Sequence, residues 1–67
     1  MKLEIGYGDE IYGTVELTQT GFKYAGKKAQ AVQNLLESMS RENMTDQQLL
    51  ASLPTRLNGR VWAREVK

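Results

Sequence analysis

The sequence predicts an α+β fold: an antiparallel sheet, made of a three-stranded N-terminal meander and a C-terminal strand, with two helices packed on one face. Three observations carry that expectation. Apolar residues alternate with polar ones over residues 1–25, take up three-and-four spacing from about Ala25, and return to a strand-like run at the C-terminus.

Leu3, Ile5 and Tyr7 alternate with Lys2 and Glu4, the period of a strand with one wet face. Gly8-Asp9-Glu10 marks a turn. Ile11, Gly13, Val15 and Leu17 then alternate with Tyr12, Thr14 and Glu16, so a second strand is expected with Tyr12 on its polar face. Thr18-Gln19-Thr20-Gly21 is the next turn, where Gly21 is free to take a positive φ. Phe22-Lys23-Tyr24 forms a short third strand that Gly26 breaks.

Ala25, Ala29, Val32, Leu36 and Met39 fall on one helical face, with Leu35 widening the stripe, and predict a helix of about four turns. Glu37 and Arg41 are placed to pair on its far face. The second helix carries the clearest local signal. Thr45-Asp46-Gln47-Gln48 fits a capping box, Met44 and Leu49 fit a hydrophobic staple, and Leu49, Leu50 and Leu53 supply a buried face. Pro54 is expected to end or bend this helix. Asn58-Gly59 then either closes a short helical turn begun at Pro54, the preferred reading, or makes the turn of a small hairpin. Arg60 to Val66 completes the sheet as the last strand.

With 67 residues the chain is expected to be a single small domain, residues 1–67, of modest stability. A compact chain of this length has a radius of gyration of about 11 Å. Without Cys there is no disulfide, and without Cys or His a zinc site has no natural ligands, so no metal and no cofactor are expected. Good packing or association with another chain must supply what a staple would. No apolar run approaches the roughly 20 residues that cross a bilayer, and the alternating N-terminus is not a signal sequence. A cytoplasmic chain with no membrane role is the expectation.

The chemistry-bearing residue types are also sparse. Catalysis through a nucleophile or a general acid and base most often recruits Cys, His or a tuned carboxylate, and the first two are missing. Asp9 and Glu10 are turn neighbours without a calcium-loop pattern, while Glu4 and Glu16 can face each other on the wet side of the first hairpin. Gly6, Gly8 and Gly13 match no phosphate-loop spacing and read as turn, bulge and close-packing positions. The chain is therefore expected not to be an enzyme.

Net charge is +1 and unevenly spread. Residues 1–20 sum to −3 and residues 54–67 to +3, and the two ends partly cancel if the fold brings them together. The basic end supports a nucleic-acid reading: on a strand, Arg60, Trp62 and Arg64 share a face, joined by Arg56 and Lys67. Guanidinium groups would then hold phosphates while the indole stacks on a base. Were the segment helical, Arg56, Arg60 and Arg64 would instead form a basic stripe. The competing and preferred assignment makes Trp62 a core anchor with arginine stems lying over it.

The string from Met44 through Pro54, followed by Asn58-Gly59-Arg60-Val61-Trp62, resembles small accessory proteins of tailed bacteriophages. The segment Gly8 to Val15 is similar in character. The resemblance implies a role inside the host, by binding one host protein. Combined with the missing catalytic groups, it predicts an interaction protein that binds a protein partner or itself, with a small nucleic-acid binder as the alternative. An apolar patch beside the long helix or the sheet edge is expected to stay exposed.

Overall fold

The computed structural model describes residues 1–57 and 59–66. The elements run β1 (Lys2–Tyr7), β2 (Glu10–Thr18), β3 (Gly21–Ala25), α1 (Ala29–Ser38), α2 (Asp46–Arg56) and β4 (Val61–Glu65). This is the expected α+β architecture. One antiparallel four-stranded sheet has the order β3-β2-β1-β4, so the meander is extended by the C-terminal strand beside β1. The radius of gyration is 10.9 Å.

Both helices cover one face of the sheet, α1 against β2 and β3 and α2 chiefly against β4. The core between the layers is made of Leu3, Ile5 and Val15 from the sheet, Val32 and Leu36 from α1, and Leu49, Leu50 and Leu53 from α2. Each was on a predicted apolar stripe, because a residue's side of a strand or helix follows directly from the period.

The first difference from the sequence expectation is a bulge. Ile5 pairs with Gly13 but Gly6 pairs with Ile11, so Tyr12 is one residue more than β1 can match. The extra residue reverses the alternation for the start of β2. Ile11 turns to the open face, and Tyr12, assigned to the polar face, packs against the helix-side core.

α1 is also shorter than its apolar stripe. It starts at Ala29 rather than near Ala25, because Ala25 belongs to β3 and Gly26, at φ 111°, turns the chain where it touches Gly13. No side chain caps this helix; instead the Lys28 amide donates to the Tyr12 carbonyl at 2.9 Å, tying the helix start to the bulge. At the other end Met39 leaves helical geometry, so Arg41 lies beyond the helix and does not pair with Glu37. Arg41 pairs with Asp46 instead, and Glu37 accepts from Gln33.

The capping box of α2 is present in full: Thr45 Oγ1 accepts from the Gln48 amide, and Gln48 Oε1 accepts from the Thr45 amide. Pro54 does not end the helix, which runs on to Arg56. The ring is exposed, and the turn that follows it is the last, so a single missing N–H bond is the main loss. The helical turn expected from Pro54 is thus the end of α2. Gly59 takes the left-handed conformation at φ 70°, while Asn58 lies outside the described residues.

Candidate interaction surface

The sheet face opposite the helices is assembled from the residues that alternate with the core. Cross-strand register sets them in rows: Lys23, Glu16 and Lys2 in one; Ala25, Thr14, Glu4 and Arg64 in the next; Ile11, Gly6 and Trp62 in the third. Trp62 is therefore not the core anchor that was the preferred assignment. It is absent from the helix-side core, half-buried, and lies across Gly6 on the open face. Only a residue without a side chain leaves room for the ring, which is the close-packing role expected of Gly6. The indole Nε1 donates to the Gly8 carbonyl at 2.8 Å, so its polar edge closes onto the β1–β2 turn. The Arg64 guanidinium lies 5.3 Å from the Trp62 ring centre, and its Nε donates to Glu4 Oε1 at 2.6 Å.

These contacts divide the predicted basic cluster. Trp62 and Arg64 come together as expected, but β4 starts at Val61, so Arg60 sits in the preceding turn. Arg56 ends α2 on the helical side, where it donates to the Ser40 carbonyl at 3.0 Å. Lys67 lies outside the described residues. Because the segment is a strand, the helical arginine stripe does not form. The acidic and basic ends of the chain do meet, at Glu4 and Arg64. Glu4 and Glu16 share the open face without facing each other: Glu4 is opposite Thr14, and Glu16 is opposite Lys2 and Lys23. Alternating charges make this face electrically mixed rather than basic.

On the helical side of the same sheet end is an apolar slot of about 120 Å³ between α1 and β4, walled by Tyr7, Tyr12, Ala31, Leu35 and Val61. Tyr7 stacks on Tyr12 with ring centres 6.3 Å apart and is 43 % exposed at the rim. Directly across the sheet, Ile11 is 49 % exposed. At this end of the sheet Tyr7 is exposed beside α1 and Ile11 on the open face, while Met1 and Val66 are exposed at the opposite end. The site residues that sequence reasoning missed are Ile11 and Tyr7. The Gly6-x-Gly8 pair hinted at irregularity here, but alternation alone points both residues inward.

Beside the slot, Lys28 lies over the Tyr12 ring at 4.5 Å and donates to Glu10 Oε1 at 3.2 Å. That hydrogen bond to the carboxylate holds the Lys28 pKa above its ordinary value. Burial raises the Tyr24 hydroxyl, assisted by the nearby carboxylates of Glu37 and Asp46. Both groups therefore bind their protons more tightly when folded. Their contribution is present below the unfolded values of 10.0 for Tyr and 10.5 for Lys and is lost as pH rises through the folded ones. The protein is expected to lose stability above about pH 10, and Tyr24→Phe to flatten part of that loss. Urea midpoints measured on both proteins from neutral to alkaline pH check this; parallel curves would remove Tyr24 from the account.

Among the described residues no three acidic side chains gather as a metal site, and no helix is long and apolar enough to cross a membrane. The chain matches no family model, and comparison with curated proteins and solved structures finds nothing similar.

Proposed function

We propose that this chain is a non-enzymatic interaction protein, phage-encoded and acting in the cytoplasm, which works by binding a protein partner or a second copy of itself. The observation that carries the reading is the exposure of Tyr7 at the rim of the slot and of Ile11 on the opposite face, close to Trp62. A chain of this size has few apolar residues to spare from its core, so leaving these outside suggests contact with another surface. Trp62, fixed at both its edge and its face, adds a rigid aromatic of the kind that dominates interfaces.

The nucleic-acid alternative retains one favourable observation, the exposed-side placement of Trp62 beneath Arg64. Against it, Arg64 is already paired with Glu4 and Arg56 is on the other side of the molecule. A titration with single- and double-stranded DNA and RNA at low and near-physiological salt, followed by Trp62 emission, separates the readings. The interaction reading expects no saturable binding. Saturable binding that falls steeply with salt would replace it, because that dependence reports phosphate contacts.

A further inference from the structure

β4 is an edge strand, and its hydrogen-bonding parity is set at both ends. The Gly8 amide donates to the Arg60 carbonyl at 2.8 Å, and the Val66 amide donates to the Lys2 carbonyl at 2.9 Å. The pairs between them, Gly6 with Trp62 and Glu4 with Arg64, keep the same register. In an antiparallel ladder, bonded residues alternate with residues whose N–H and C=O point the other way. The backbone groups of Val61, Ala63 and Glu65 therefore face outward, with no partner among the described residues. Such an edge is a template for another strand.

We propose that a second copy of this chain pairs antiparallel with β4 about a two-fold axis at Ala63, joining two four-stranded sheets into one. This rests on the interaction reading and selects self-association from it. The two-fold register sets Val61 against Glu65 of the second copy and Ala63 against Ala63, so every outward backbone group of the strand meets a partner. On the open face it sets Trp62 opposite Arg64 of the second copy. That is a non-hydrogen-bonded position, where the backbones approach to about 4.5 Å and side chains are closest. The contact of Arg64 over Trp62 already present within the chain is thus repeated across the axis. Glu4 holds the charge of each Arg64, easing the approach of the two guanidinium groups. The other edge does not offer this. Self-pairing about the middle of β3 would set Lys23 against Lys23, and like charges directly opposite repel. A five-residue edge buries little area, so the dimer is weak and concentration-dependent.

The test is sedimentation equilibrium of the full chain and of Ala63→Pro over a wide range of concentration. Proline removes an outward N–H and leaves the β1 ladder intact, which makes an edge position one of the few that tolerates it. The expected result is a mass rising towards twice the monomer for the unaltered chain and a monomer for Ala63→Pro, with unchanged circular dichroism. Since the chain has no cysteine, Ala63→Cys gives an independent readout. Directly paired strands bring these Cα atoms to about 5.5 Å, within disulfide range, so mild oxidation is expected to cross-link Ala63→Cys but not Ile11→Cys. A strict monomer at every concentration would overturn the proposal while leaving a different protein partner open. A dimer that survives in folded Ala63→Pro, with Ala63→Cys uncrosslinked, would overturn the β4 edge but keep self-association.

Discussion

Leu50→Ala is expected to remove a large part of the protein's folding stability at 25 °C. Leu50 has no exposed surface and lies where α2 meets the sheet, in contact with the shared core of Leu3, Ile5, Val15, Leu49 and Leu53. Truncating a leucine in such a place removes its transfer free energy and leaves a cavity, together costing about 2–5 kcal/mol. A chain of this length has about 3–10 kcal/mol of total stability. With no disulfide to hold the unfolded chain compact, the loss falls on a small reserve. Urea unfolding followed by circular dichroism checks it, with Ala51→Ser on the exposed side of the same helix as the control, expected to change stability by about 0.5 kcal/mol or less. If both variants melted alike, the core would not be the closely packed cluster described.

Gly6→Ala is expected to displace Trp62 and to cost about 1–3 kcal/mol, the usual range for forcing extra volume into a packed site. A Cβ at this position would lie 2.5 Å from Trp62 Cε2 and 2.7 Å from the Glu10 carbonyl oxygen. The carbonyl belongs to the neighbouring strand and gives little, so the indole must move. Moving it breaks the bond to Gly8 and lifts the ring from the sheet. Trp62 emission should shift to longer wavelength and become easier to quench, which distinguishes this effect from a general loss of stability. In a Trp62→Ala background the same substitution should cost less, because only the carbonyl contact remains. Equal costs in the two backgrounds would mean that the ring does not rest on Gly6.

The parts of the fold legible in the sequence were those that depend on neighbours a few residues away. Thr45 and Gln48 satisfy each other within one turn, and their capping box was readable without knowing what α2 packs against. Leu3, Ile5 and Val15, and likewise Val32 and Leu36, point inward because their spacing matches the period of their element. The positive φ of Gly21 follows from a turn that the adjacent residues already announce.

The candidate surface was legible only in part, for a definite reason. Arg64 and Trp62 were correctly put on one face of a strand, since that is again a matter of period. Which face it was depended on β1, fifty-odd residues away in sequence, whose Gly6 makes room for an indole on the side away from the helices. The start of α1 is similar: with no capping side chain at Lys28, its position is set by bonds to Tyr12 and by the passage of Gly26 over Gly13.

By itself, then, the amino-acid sequence determined the order and type of the elements, the α2 cap and the inward-facing residues, because each rests on local periodicity and local hydrogen bonding. Tertiary structure alone decided that the bulge falls at Tyr12, that Ile11 is exposed, which face seats Trp62 and that Arg56 is separated from Arg64. These are outcomes of pairing between distant strands, where one unmatched residue reverses the sides of those beyond it, and no local pattern records that reversal.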